Sequence, residues 1–264
     1  MPPMEKLPIS VFIITRNEAD RLPRVLLAVR EWVSEIVVVD SGSTDGTQDV
    51  ARSLGARVLE HAFAGYGPQK VFAESQCQSL WLLNLDADEE VSPELAAAIK
   101  REFRAEGGPQ ASAYRLPILP LFEWQQHGHP WTAGHKPVRL YRRDRAGFKA
   151  DVVHDSVLVR EGKIRTLKGM VLHRSFRSLT HHVEKVNGYS SMQGAKLAGE
   201  GRAPGLLALL FTPPLAFLKQ YVLRREFVNG IDGIVTSHMY AFQRFIRIAK
   251  AREAERLAKK RQAS

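Results

Sequence analysis

Hydrophobic and polar positions alternate between two periods over the first hundred residues. Residues 9–15 (ISVFIIT) and 35–40 (EIVVVD) are short β-branched apolar runs of the kind that form strands buried on both faces. Between them Leu22, Val25, Leu26, Val29 and Val33 recur at helical spacing. Asn17 stands where it could cap that helix, and Pro23 falls in its first turns, where a missing amide donor costs little. Residues 41–47 (SGSTDGT) form a turn-and-cap cluster, 48–54 predict a short helix closed by Gly55, and 56–60 predict a third strand. A third helix over 68–78 precedes a fourth strand, 80–85 (LWLLNL), which ends in Asp86-Ala87-Asp88. Such alternation predicts an α/β fold of right-handed βαβ units around a mostly parallel sheet, with ligands at the carboxyl ends of the strands. Those ends carry residues 15–18, 40–45 and 86–90, so polar groups converge on one rim.

After 107–109 (GGP) the pattern loosens. A strand over 113–122 is interrupted by Pro117 and Pro120, and residues 123–137, rich in Trp, His, Gly and Pro, suit an irregular functional loop. Strand-like pieces follow at 138–142, 155–160 and 169–173, and from about Ser178 the pattern is helical. This divides the chain into 1–177, with halves 1–106 and 107–177, and a helical region 178–264. Residues 205–223 are the most apolar stretch. Pro213-Pro214 and Lys219 interrupt it, leaving less than the ~20 residues of a spanning helix, so an interfacial or re-entrant segment is expected. Beyond it Ile231, Ile234, Val235, His238, Phe242, Phe245, Ile246 and Ala249 define one face of an amphipathic helix. That face could pack on the domain or lie on anionic lipid.

Composition narrows the class. With 44% hydrophobic and 25% charged residues in 264, the chain can bury a sizeable core, which excludes a disordered or disulfide-stapled protein. The single cysteine, Cys77, can make neither an intramolecular disulfide nor a cysteine-rich zinc site, and suits a reducing compartment. The first fourteen residues lack a basic region, a long apolar run and a small-residue cleavage site, so no signal peptide is expected. The formal net charge of +10 points to a polyanionic partner. From Lys219 onward, however, eleven Lys and Arg face four acids, so most of the excess lies in the last sixth of the chain. A nucleic-acid-binding protein would instead interleave basic and aromatic residues over one surface, and its sheet rim would not be acidic. No nucleic-acid partner is expected.

Asp86 and Asp88 carry the chemistry. Two carboxylates one residue apart, in a turn after a buried strand, can share a hard divalent cation. Alternatively, one can hold the cation while the other accepts ribose hydroxyls. Asp40, at the tip of the second strand, can accept from a base imide or a ribose, and Ser43 is read mainly as a cap of the next helix. A nucleotidyltransferase could also use an aspartate pair and a metal, but the start of the chain has no glycine-rich phosphate signature.

The segments IITRNE (13–18), VVDSGSTDGT (38–47) and LDADE (85–89) resemble, in order and spacing, the three N-terminal motifs of family-2 glycosyltransferases, inverting enzymes of the GT-A fold. The overall pattern is most similar to the bacterial lipopolysaccharide inner-core glucosyltransferases that modify heptose. The resemblance implies that Thr15, Asn17 and Glu18 line the nucleotide pocket, Asp40 contacts uracil, Asp86 the ribose region, and Asp88 ligates Mg²⁺ or Mn²⁺. Lys70 falls where the family often places a donor contact, although a solvated helix residue explains it nearly as well. Gly134 would belong to the glycine loop. Asp155, in Val153-His154-Asp155, takes the place of the catalytic base, where the lipopolysaccharide branch usually reads His-Glu; Asp151 competes with it. His173 matches the metal-histidine position, and a structural strand-end histidine is the other reading. Arg139, Arg142, Arg143 and Lys149 are placed on the acceptor side, where they could meet phosphate or sugar-acid groups, or solvent. The expected partners are a UDP-sugar, a glycolipid or lipopolysaccharide-core acceptor and an anionic membrane surface, with the protein peripheral on the cytoplasmic face of the inner membrane. Another envelope polysaccharide or a polyprenyl-linked acceptor is the alternative.

Overall fold

The computed structural model of the protein describes residues 5–125, 128–132, 134–149 and 156–262. The chain divides into two compact units, Met1–Leu121 with Ala133–Arg174, and Phe122–Thr132 with Ser175–Ser264.

The first unit is built on β1 (Leu7–Thr15), β2 (Val33–Asp40), β3 (Arg57–Glu60) and β4 (Trp81–Asp86), which run parallel in the order β4-β1-β2-β3. The crossovers are α1 (Leu22–Val29), α2 (Thr47–Ser53) and α3 (Tyr66–Ser75). Then come β5 (Glu89–Val91), α4 (Pro93–Arg104), β6 (Ala113–Arg115), β7 (Ile118–Phe122) and β8 (Val138–Arg142). The remaining strands are β9 (Ala146–Phe148), β10 (Val157–Val159), β11 (Ile164–Thr166) and β12 (Val171–Phe176). Strand β8 enters antiparallel beside β4, and β6 and β11 complete a seven-stranded sheet; β5, β12 and β7 form a second sheet. Ile9, Val11 and Ile13 of β1 face a core with Val25, Leu26 and Val29 of α1 and Ile99 of α4. Phe12 faces the opposite core with Val37, Val39, Leu82 and Ala73 of α3. This two-sided burial is why the strand is a continuous apolar run rather than an alternating one.

Two local expectations are corrected. Asn17 does not cap α1: its backbone is left-handed at φ 56°, and the helix begins only at Leu22, without a side-chain cap. The Glu18 carbonyl takes the amides of Arg21 and Leu22 instead. Val33 opens β2 rather than continuing the helix.

The second unit holds α5 (Leu179–Gly199), α6 (Leu206–Leu218) and α7 (Gly230–Gln262); a π-helical turn, Lys219–Leu223, and a 3-10 turn, Glu226–Asn229, join the last two. Contrary to expectation, Pro213-Pro214 does not break the apolar stretch, because α6 runs through both prolines while packed along α7. Residues 206–223 are then long and apolar enough to cross a membrane, by length and composition. Helix α7 packs against α5 and α6 with Gly233, Ser237, Ile248 and Ala251 buried, not with the expected apolar face. Ile231, Ile234, Phe242 and Phe245 of that face are exposed.

Gly194 allows α5 and α7 to approach closely, since a Cβ there would lie 3.0 Å from Lys250 Cβ and 3.1 Å from the Ala251 amide nitrogen. Gly194→Leu is expected to cost about 1–3 kcal/mol in urea denaturation. Gly188→Ala, into open space on the same helix, is expected to be neutral or mildly stabilising.

His182 stacks on Phe176 with ring centroids 3.5 Å apart, and its Nδ1 is buried without a hydrogen-bond partner among the described residues. Burial, with the charges of Lys185 and His181, pushes its pKa down to about 4 from 6.5. The folded chain therefore resists a proton that the unfolded chain accepts. Its contribution is complete above about pH 6.5 and is lost as pH falls toward 4. The thermal midpoint should fall over that interval, and His182→Leu should flatten the dependence.

Candidate active site

The loops after β1 and β2 are stitched together. The Asn17 amide donates to Ser43 Oγ at 2.8 Å, and Asn17 Oδ1 accepts from the Thr44 amide at 2.9 Å. The Glu18 amide donates to Thr47 Oγ1 at 2.8 Å, and the Ala19 amide to Asp45 Oδ2 at 3.1 Å. Asp40 is fully buried. Its Oδ1 accepts from the amides of Gly42 and Ser43 and from Gln48 Nε2, and its Oδ2 accepts from Ser43 Oγ. Its carboxylate thus organises the loop. Ser43 does not cap α2, whose N-cap is Gly46 in a left-handed conformation at φ 88°; Ser43 links Asp40 to Asn17. Thr15 Oγ1, at the carboxyl end of β1, is buried with no hydrogen-bond partner among the described residues, a free group on the expected nucleotide rim.

Asp86 ends β4 between two cations. Lys70 Nζ lies 3.0 Å from its Oδ1 and Arg139 Nη2 lies 3.0 Å from its Oδ2. Lys70 is 1% exposed, which overturns the solvated reading: α3 turns it inward, over the Phe148 ring. Arg139 also reaches Glu89 Oε1 at 2.6 Å and Asn84 Oδ1, while Glu89 Oε2 accepts the Asp86 amide at 3.0 Å. Burial raises the Asp86 pKa, but Arg139 and Lys70 outweigh it and hold the carboxyl well below the usual range. Glu89 moves the other way: burial and the Asp86 charge push it up against the pull of Arg139. Arg139 is therefore no acceptor-side surface cation; β8 pairs with β4 and directs it beneath the aspartate turn. Of the residues grouped with it, Arg142 pairs with Asp144, Arg143 donates to the Cys77 carbonyl, and Lys149 is exposed.

Asp88 has a separate set of partners. His173 Nε2 faces its Oδ1 at 3.4 Å, and Arg21 Nη1 its Oδ2 at 3.1 Å. Arg21 also grips Glu18 through Nε and Nη2, both at 2.6 Å, and so ties the first motif to the third. The register of β12 with β5 sets His173 opposite Glu89, next to the aspartate turn. Burial disfavours charge on both Asp88 and His173, yet their mutual contact wins, lowering the pKa of Asp88 and raising that of His173.

Among the described residues no group of three or more His, Cys, Asp or Glu side chains forms a metal cage. The Asp88–His173 pair is an oxygen–nitrogen donor set with His173 29% exposed. Its carboxylate fits a hard divalent ion completed by substrate phosphates, as Mg²⁺ usually is, while the imidazole is a softer donor than Mg²⁺ prefers. Gly134 lies in exposed coil beside His135, which bridges to Ile118. Asp155, Asp151 and His154 lie outside the described residues. Sequence reasoning missed Arg21, Glu89, Asn84 and the true place of Arg139. The available signals were Arg21 three residues after Glu18, and an arginine, Arg139, between apolar neighbours in the VRLYR strand.

Residues 10–157 match the family described as Glycosyl transferase family 2. The chain is 39% identical over 253 residues to an uncharacterised glycosyltransferase of Rickettsia typhi, covering 93% of this chain and 87% of the relative. It is 30% identical over 259 residues to the lipopolysaccharide core biosynthesis glycosyltransferase LpsC of Rhizobium meliloti, covering 93% and 92%. Among solved structures it is similar to glucosyl-3-phosphoglycerate synthase of Mycobacterium tuberculosis, solved with Mn²⁺, uridine diphosphate and glucosyl-3-phosphoglycerate. There the TM-score is 0.36 and the identity 21%, over 45% of each chain. With more than half of its length matched by the family and with relatives over nearly all of it, this α/β chain of GT-A fold is a glycosyltransferase and belongs to family 2.

Proposed function

We propose that the protein transfers a hexose, glucose first among them, from a UDP-sugar to a hydroxyl of a lipopolysaccharide core or related glycolipid, with inversion at the anomeric carbon. In this reading residues 1–177 carry the catalysis and 178–264 the membrane association, on the cytoplasmic face of the inner membrane. One observation carries the chemistry: the two aspartates after β4 have distinct environments, Asp86 locked between cations and Asp88 facing His173. The 30% identity to LpsC supports the acceptor class.

Thr15, Asn17, Glu18, Asp40, Lys70 and Asp86 form the nucleotide side of the proposed site, with Gly134 on the glycine loop. Asp88 and His173 would hold a Mg²⁺ or Mn²⁺ ion, which when bound supplies charge stabilisation to the departing diphosphate. Arg21 fixes the orientation of Asp88, and Arg139 and Lys70 keep Asp86 ionised. Asp155 removes the proton of the acceptor hydroxyl as its oxygen attacks opposite the leaving diphosphate.

The test is UDP release from a panel of UDP- and GDP-sugars, with and without Mn²⁺, using extracted lipopolysaccharide core as acceptor. UDP-glucose-dependent, metal-stimulated release is expected; no metal-dependent release from any donor would overturn the reading. Transfer only to a polyprenyl-linked or polysaccharide acceptor would move the acceptor assignment. Calorimetric titration of UDP into Asp88→Ala should show weakened binding with Mn²⁺ and little change without it. An unchanged metal titration would remove Asp88 from that role.

A further inference from the structure

The second unit leaves a row of large apolar side chains uncovered. Leu206, Leu207, Leu210, Phe211, Leu215 and Leu218 recur at steps of one, three or four along α6 and are all exposed, Leu207 at 70%. Val222 and Leu223 continue the row through the π-helical turn. The opposite side of the helix is different in kind: Ala216 and Gln220 are buried, and Gln220 Nε2 donates to Glu226 Oε1 at 3.1 Å. Residues 206–223 thus have a protein-facing side and a bare apolar side, with a mean hydropathy of 1.5.

Charge identifies the occupant. Lys219, Arg224 and Arg225 are exposed at the end of the row. Of the acids nearby, Glu226 is buried and hydrogen-bonded to Gln220 and Asn229, and half-buried Asp232 accepts from Trp124 Nε1 and Gln125 Nε2, so the three cations outnumber the one acid that reaches the surface. The Arg225 guanidinium lies 5.3 Å from the ring of Trp131, itself 61% exposed, and Trp beside Arg is a pairing suited to the headgroup layer. An apolar row bordered by cations and an interfacial aromatic matches a bilayer containing anionic phospholipid, not a neutral apolar protein groove.

The packing also shows how the helix meets the bilayer. Arg252 Nη1 donates to the Pro204 carbonyl at one end of α6, and Phe217 meets the His238 ring at 4.6 Å near the other, so α6 runs antiparallel along α7. The stretch of α7 between those contacts carries Arg244, Arg247 and Lys250. Were α6 to cross the bilayer, it would draw these cations into hydrocarbon. We infer that α6 and the turn after it lie flat on an anionic lipid surface, as a monotopic docking face that leaves α7 in water. This rests on and deepens the membrane part of the proposed function: of the interfacial and re-entrant readings of residues 205–223 it takes the first, and it puts the contact on the outer side of α6 instead of on the basic helix α7.

The test needs neither donor nor acceptor. The full chain is sedimented with phosphatidylethanolamine–phosphatidylglycerol vesicles and with pure phosphatidylcholine vesicles. Binding to the anionic vesicles is expected to be at least tenfold stronger, and alkaline carbonate should release the protein. Leu210→Glu with Phe211→Glu should reduce binding at least tenfold without lowering the thermal midpoint, because both side chains are exposed. Arg224→Glu with Arg225→Glu should remove the preference for anionic vesicles. Retention in carbonate would overturn the flat orientation, and full binding by the Leu210→Glu, Phe211→Glu protein would overturn the docking face. A lipid-free dimer abolished by the same pair, without vesicle binding, would assign the row to a second copy of the chain. Sugar-transfer assays fail or succeed separately from all of these outcomes.

Discussion

Arg139→Met is expected to lower stability by about 3–5 kcal/mol, the range for removing one partner of a buried ion pair. The arginine is buried and bridges Asp86 and Glu89, and its loss leaves Glu89, fully buried, without its ion-pair partner and with only the weaker pull of His173. Lys70 would remain on Asp86. Urea denaturation of the variant should show the full loss, whereas Glu89→Gln in the same background should recover part of it by removing the stranded charge. That recovery separates a charge effect from a packing effect. A variant as stable as the parent would mean that the network is not ionised as described. On the role proposed for Asp86 the consequence reaches nucleotide binding as well: the carboxylate loses one of the two cations that keep its pKa low, so binding should become sensitive to mildly acid pH.

Asp155→Asn is expected to reduce kcat by about 10²–10⁴-fold, the usual contribution of a positioned general base. On the role proposed for Asp155, UDP binding should be unchanged, because the amide would alter only the group that takes the acceptor proton. Asp151→Asn, made alongside, should keep most of its turnover, and reversed results would pass the role to Asp151. Asp155→Glu restores the residue usual in the lipopolysaccharide branch of the resemblance and should retain activity. A fall in donor affinity without a fall in kcat would point to substrate binding instead of proton transfer.

The first four strands and the helices between them were legible because strands buried on both faces leave continuous apolar runs, and the crossovers repeat at helical spacing. The start of α1 was not: Asn17 is a suitable cap by residue type, but its side chain serves the neighbouring loop, a contact 27 residues away. The aspartate turn was equally plain, and so was a strand at His173, although β12 runs on through the histidine to Phe176 instead of ending there. Their surroundings were not, because Arg139 and Lys70 reach Asp86 only through strand pairing and helix rotation, which no local pattern encodes. The double proline misled for a related reason. Local propensity argues for a break, and packing along α7 overrides it.

Those prolines have an effect on depth. Pro213 and Pro214 have no amide proton to offer the carbonyls of Leu209 and Leu210, four residues back in α6. In hydrocarbon a carbonyl deprived of its donor is strongly unfavourable, but at the level where water penetrates it is readily solvated. On the flat orientation inferred above, the two carbonyls would favour a helix that settles on lipid at the level where water can reach them. An enzyme held at that level would meet the sugars of a glycolipid rather than its acyl chains, and could let go of the surface between one acceptor and the next.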